Sequence, residues 1–165
     1  MSTLDTLVEV CQFNRSRTHA LLKSIEETEA PQAALGWRPG PQRAHIAWQL
    51  VHVGITEELF ATQQLAQKDT ARHQELWERF RGGSTPDNDI PDVSTIRQVL
   101  EDGREQLLET LADFNEDELS EIVWTHPQSN RDLTLLTVLH ILNWHEGHHQ
   151  GQAHITLNLF HAQAG

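Results

Sequence analysis

Four histidines fall within ten residues of the stretch His140-Ile-Leu-Asn-Trp-His-Glu-Gly-His-His-Gln-Gly-Gln152. Read as a helix, His145 and His149 stand one turn apart along the axis and about 40° apart around it. That spacing lets two imidazoles converge on one divalent metal ion. A third ligand has to come from another segment, and His52, in Trp48-Gln-Leu-Val-His-Val-Gly-Ile-Thr-Glu-Glu58, is the candidate. Three neutral imidazoles hold Zn²⁺ at about 2.0–2.1 Å and leave a coordination position open, as catalytic sites do. Water in that position reaches a pKa near 7 and becomes a nucleophile, and a thiol there is held as thiolate. Nickel and iron also accept imidazole, so zinc or nickel is expected without the pattern deciding between them.

The neighbours of these three histidines differ in what they can reach. His148 points about 100° away from His149 and cannot easily share its ion; it reads as a residue supporting the ligands or an exposed one before a ligand. His140 faces the other side of the same helix. His45 lies one heptad before His52, some 10 Å away along the seam, where it could line the pocket or shuttle a proton. Trp48 and Trp144 are expected to shape the pocket, whereas Trp37, among loop breakers, reads first as an anchor of its loop on the core and second as a pocket residue. Glu57, Glu58 and Glu146 are candidates for orienting ligands or for acid–base work, although Glu146 reads more simply as a solvated helix charge. No residue can be assigned a catalytic role beyond the metal ligands. A di-iron carboxylate site would need two Glu-x-x-His motifs on separate helices. Glu146-Gly-His-His149 supplies only one, which disfavours a dinuclear oxidase.

Helices must carry these residues. Leu4, Leu7, Cys11, Thr18, Leu21, Leu22 and Ile25 mark an apolar stripe over residues 3–28, capped by Ser2 or Thr3. Its other face, with Glu9, Arg15, Arg17, Lys23 and Glu26, reads as solvated. Cys11 falls on the stripe and reads as a packed thiol rather than a nucleophile. Pro31, Gly36, Pro39, Gly40 and Pro41 break the chain over 29–42. A second helix is predicted from about Gln42 to Gln67, with His45, Trp48, His52, Ile55 and Leu59 on one seam. Ala71 to Arg81 suggests a short helix with Leu76, Trp77 and Phe80 inward and His73 exposed. A third helix is expected over about 94–114, with Glu101, Asp102, Glu105 and Glu109 in solvent. A connector follows over 115–132, containing an extended piece at 121–127, a turn at Ser129-Asn130, and His126 in a loop role. The fourth helix, about 133–160, carries the opening motif. Gly147 and Gly151 interrupt it at about 1 kcal/mol each, which suggests close backbone packing or space at a site. Long helices joined by loops predict an all-α antiparallel four-helix bundle with a long connection between its second and third helices, one domain over 1–165.

Composition narrows the function. Against 12 basic residues stand 24 acidic ones, for a formal charge of −12, which repels nucleic-acid phosphate. The single cysteine excludes an internal disulfide and thiolate zinc motifs, and fits a reducing cytoplasm. No basic segment followed by an apolar one opens the chain, so no signal peptide is expected. The apolar run around Leu133–Leu142 is too short and interrupted to span a bilayer.

Trp37-Arg-Pro-Gly-Pro, then His45-Ile-Ala-Trp-Gln-Leu-Val-His52 with Glu57-Glu58, then the His140–Gln152 stretch together resemble the DinB-like metalloprotein family, over essentially the whole chain. The resemblance implies a four-helix bundle holding a divalent metal by three histidines, here His52, His145 and His149. Gln150 stands where the family often has Arg, and Trp144 where it often has His or a small residue. Neither touches a ligand position, but both alter the pocket. Relatives include transferases and an isomerase that use low-molecular-weight thiols, others described as metal-dependent hydrolases, and many dimers. The expectation is therefore a metal-dependent enzyme transferring a thiol to a small electrophilic molecule, with the thiol as cosubstrate and homodimerisation as a further expectation. Its alternatives are hydrolysis by activated water and, from another class, a non-catalytic metal-binding stress-response protein.

Overall fold

The computed structural model describes residues 2–163. Helix α1 (Thr3–Glu26) begins at a capping box: the Asp5 amide donates to Ser2 Oγ at 3.0 Å and the Ser2 amide to the Asp5 carboxylate at 2.9 Å. The breaker-rich segment after it is not all loop. Pro31 opens a short helix α2 (Pro31–Gly36), since proline's fixed φ suits a first helical turn.

Helix α3 (Ile46–Leu59) starts four residues later than its apolar pattern suggests. Gln42 adopts a left-handed φ of 60°, and His45 is the N-cap, its Nδ1 accepting from the Trp48 amide at 3.0 Å. The chain then runs on as a π-helical segment (Phe60–Leu65). The expected short helix at 71–81 shrinks to a 3₁₀ turn (Gln74–Leu76) and a single turn α4 (Trp77–Phe80). Phe80 is buried there, and Leu76 and Trp77 are half-buried.

Helix α5 (Val93–Leu111) is capped by Asp92, whose carboxylate accepts from the Thr95 amide at 2.7 Å. The connector behind it contains a 3₁₀ turn (Glu116–Ser120) and an antiparallel ladder of β1 (Ile122–His126) with β2 (Arg131–Thr134), bulged between Ile122 and Trp124. Asn130 makes the turn at φ 51°. Helix α6 (Leu135–Gln163) completes the chain.

Mostly helical, the molecule packs α3 against α5 and α6, and α1 against α6 and α5. The close approach lies between α3 and α5. A Cβ on Gly54 would stand 2.6 Å from the Val99 carbonyl oxygen, and one on Gly103 2.4 Å from that of Gly54. Only glycine fits at both positions. Gly147 and Gly151 show no such reason: a Cβ at either would meet nothing within 4 Å. Among the described residues no helix is long and apolar enough to cross a membrane.

Candidate metal centre

The interior of α3 and the middle of α6 bring His52, His145 and His149 together. One nitrogen of each lies within 4.8 Å of the others. The three ring centroids form a near-equilateral triangle, 4.8, 4.7 and 4.5 Å on its sides. His52 is buried, and the two α6 histidines are half-buried.

Two of the rings are oriented by the protein. His52 Nδ1 lies 2.6 Å from the Phe80 carbonyl oxygen, an acceptor only, so Nδ1 carries the proton and Nε2 keeps its lone pair. His149 Nδ1 is likewise bonded to Gln49 Oε1, which frees its Nε2. His52 Nε2 and His145 Nε2 stand 3.0 Å apart, close to the about 3.3 Å between two ligands bonded tetrahedrally at about 2.0–2.1 Å. Trp48 stacks on His52, with centroids 4.6 Å apart and planes at 19°, and meets His149 edge-on. Its indole Nε1 donates to the Arg79 carbonyl and the Ser84 hydroxyl at 3.2 and 3.1 Å, which fixes the stack.

The electrostatics disfavour the protonated form of all three rings. Burial, then repulsion from His52 and His148, lowers His145 to about 3. Burial, then repulsion from His145 and His52, lowers His149 to about 3. Burial also lowers His52. Neutral imidazoles with lone pairs turned inward are the state that a divalent cation requires. The donor set and its supports fit a metal ion.

Other expected site residues stand elsewhere. His45 is not one of the three converging rings. It caps α3, with its Nε2 3.1 Å from the Asp87 carbonyl oxygen, and burial followed by the charge of Arg38 lowers it to about 4. Glu146 is not a solvated helix charge, being 1% exposed, and Arg15 is not on a wet face. They join Glu57 and Arg104 in a buried ring of two cations and two anions. Arg15 bonds Glu57 at 2.6 Å and Glu146 at 2.7 Å, and Arg104 bonds the same two at 2.5 and 2.7 Å. Thr18 Oγ1 adds a donor to Glu146 at 2.8 Å. Burial pushes the Glu57 carboxyl up, but the guanidiniums of Arg15 and Arg104 outweigh it and hold it below the usual range. Glu57 and Glu146 therefore orient none of the three histidines.

Glu58, also buried, accepts from the Arg72 and His73 amides and from Trp77 Nε1, tying down the segment after α3. His73 is half-buried rather than exposed, because Asp102 holds its Nε2 at 2.8 Å. Asp102 is correspondingly drawn out of solvent, while Glu101, Glu105 and Glu109 stay exposed. Trp144 is 64% exposed and stacks on the exposed His148, whose ring meets that of His149 edge-on, centroids 5.2 Å apart. Trp37 packs on Phe160, centroids 6.2 Å apart, as a loop anchor. Cys11 is buried, and burial raises its thiol to about 11, as befits a packed side chain. His126 ends β1, its Nδ1 accepting from the Gln128 and Ser129 amides at the turn.

Two cavities flank the triad and share no lining residue. One, of about 440 Å³, is reached by His149 and lined by Gln42, Arg43, Trp48, Gln49 and Gln152 among others. The other, of about 510 Å³, has His52 and His145 in its wall, with the π-helical segment and β1 opposite. The larger cleft between α1 and α5, about 620 Å³, lies at His19 and Arg15 and contains none of the three histidines.

The family model described as the DinB superfamily matches residues 12–153. A crystal structure described as the conserved protein of locus from Enterococcus faecalis superposes with a TM-score of 0.71 at 17% identity, over 96% of this chain and 97% of that one, a likeness of fold. No curated protein matches the chain.

Proposed function

The chain belongs to the DinB superfamily, and from that premise we propose that it is a divalent-metal-dependent transferase joining a low-molecular-weight thiol to a small electrophile. The metal ligands are His52, His145 and His149. The supporting observation is the convergence of three imidazoles, two with their Nδ1 hydrogens already bonded to Phe80 and Gln49, beside two cavities of which one is lined by His149 and the other by His52 and His145. The four long helices, α1, α3, α5 and α6, are read as an antiparallel four-helix bundle in one domain, with α3 and α6 holding the site.

Zinc or nickel at this point would lower the pKa of a thiol, or of a water, enough to make it a nucleophile at neutral pH. Three protein ligands leave room for one such group. In the transfer, the thiol proton leaves to solvent and the sulfur forms a bond to the electrophilic carbon. The bond from that carbon to its leaving group breaks with its electron pair. The chain's own work is positional. Phe80 and Gln49 fix two ring tautomers, and Trp48 packs one ring in place. Hydrolysis, with water taking the place of the thiol, is the second reading, favoured by the same open position.

Benzyl bromide separates the two. Incubated with zinc-loaded protein, it should release bromide at a rate that rises with added cysteine and falls at least about a hundredfold in His149→Ala, the scale on which loss of a metal ligand acts. Release independent of thiol, with benzyl alcohol as product, would replace transfer by hydrolysis. Release equal in wild type and variant would remove the metal from the reaction.

A further inference from the structure

The cavity beside His52 and His145 is built unlike its counterpart on the His149 side. Its wall is largely apolar, with Ile55, Leu59, Phe60, Trp124, Leu133 and Ile141, and Thr56, Arg81 and His126 stand beside them. Among the polar residues of that wall Gln64 differs from the rest: it is 8% exposed, and its Oε1 is buried with no hydrogen-bond partner. A buried acceptor left without a donor costs about 1–3 kcal/mol, so a donor from a bound molecule would recover that loss. Phe60 and Gln64 both sit on the π-helical segment. Such segments are uncommon, and they recur at functional sites because the extra residue turns side chains out of the α-helical register. The opposite cavity, also lined by Pro39, Ala44, Trp48 and Ile155, offers Arg43 and the carboxamides of Gln42 and Gln152, groups suited to a polar molecule bearing carboxylates and amides.

We propose that the apolar cavity is the electrophile site: it takes a molecule with an aromatic or branched aliphatic body and an N–H or O–H donor that bonds Gln64 Oε1, while the thiol approaches from the His149 side. This assignment of sides rests on the thiol-transfer reading. Size supports it, since about 510 Å³ accommodates a bicyclic aromatic molecule. Position supports it too, because two of the three proposed ligands form part of the same wall.

The test uses indole and N-methylindole, which share an apolar bicyclic body and differ in the N–H. Their binding to the full-length protein is measured by calorimetry, with and without zinc, beside Gln64→Met and the filling variants Ile141→Trp and Leu59→Trp. Wild type should bind indole about fivefold more tightly, the equivalent of about 1 kcal/mol. Gln64→Met should abolish that preference, and filling should weaken both compounds at least about tenfold, as expected when the space they occupy is taken. Equal affinity for the two compounds in wild type, or affinity unmoved by both filling variants that remain folded by circular dichroism, would overturn the proposal.

The sidedness is read in turnover with benzyl bromide and cysteine. Ile141→Trp should raise KM for the bromide and leave KM for the thiol unchanged; the reverse would give this cavity to the thiol and overturn the assignment. Zinc content of the same samples keeps the two ideas apart. Protein that binds indole as described but holds no zinc would refute the metal-site reading alone. Protein that holds zinc and shows no indole preference would refute the cavity alone.

Discussion

Two polar groups lie side by side in the interior, and α6 contributes to both through consecutive residues. Glu146 enters the ring with Arg15, Glu57 and Arg104, whereas His145 enters the triad with His52 and His149. The ring is closed: two cations face two anions, and the guanidiniums spend further hydrogens on the Leu100 and Cys11 carbonyls. The triad is open. Its rings are oriented from outside, but the nitrogens that converge have only one another to face. A buried polar group that satisfies itself contributes to structure, and one that leaves lone pairs converging invites a cation. On the proposed reading, the first group is structural and the second holds the ion.

The comparison breaks most visibly if the ring is opened. Arg104→Leu leaves Glu57 and Glu146 to share Arg15, and removing one partner of a buried ion pair costs about 3–5 kcal/mol. Chemical denaturation should show that loss, while in metal-free protein His145→Ala should cost only about 1 kcal/mol, the ordinary scale for a point change. Equal costs would erase the distinction.

Next in size is the metal itself. With free zinc at about 100 times its dissociation constant, linkage stabilises the folded chain by about 2.7 kcal/mol. Chelation should therefore lower Tm in wild type and leave His149→Ala unmoved. A ring variant that still folds should keep the full response, and its loss there would mean that the ring supports the triad.

A smaller effect comes from the cap at His45. Its folded pKa, about 4, lies below the 6.5 of an ordinary histidine, so the unfolded chain binds more protons between those values. Stability contributed by the neutral ring is complete above about 6.5 and is lost as pH falls towards about 4. His45→Asn keeps a capping acceptor and does not titrate. The difference in stability between wild type and variant should shrink or reverse in the variant's favour on acidification, and a difference independent of pH would remove His45 from the account.

The smallest change concerns glycine. Gly147→Ala and Gly151→Ala, in open helical positions, should each gain up to about 1 kcal/mol, read as a rise in Tm. A loss would mean that something packs there.

Much of this was legible in the chain. The three histidines, the long helices and the packed Cys11 follow from spacing and periodicity alone. The buried ring was missed, yet its signal was present. Cys11, Arg15, Thr18, Leu22 and Ile25 repeat by four, three, four and three residues. So do Leu100, Arg104, Leu107 and Leu111, and Leu139, Leu142, Glu146 and His149 keep the same seam on α6. Charges standing on an apolar stripe must find one another, and two arginines and two glutamates do. The short helix α2 and the bulged hairpin were less readable, because breakers and brief extended runs carry weak periodicity. Gln49 and the Phe80 carbonyl, which orient the ligands, could not be read at all. One is an ordinary polar residue on an apolar helix, and the other is backbone brought in from 28 residues away.

The central claim is tested most directly by metal content. Protein purified without an affinity tag, beside His52→Ala, His145→Ala and His149→Ala, should carry about one divalent ion per chain in wild type, by elemental mass spectrometry, and lose it in each variant. Wild type without metal, and taking up neither zinc nor nickel on titration, would contradict the account.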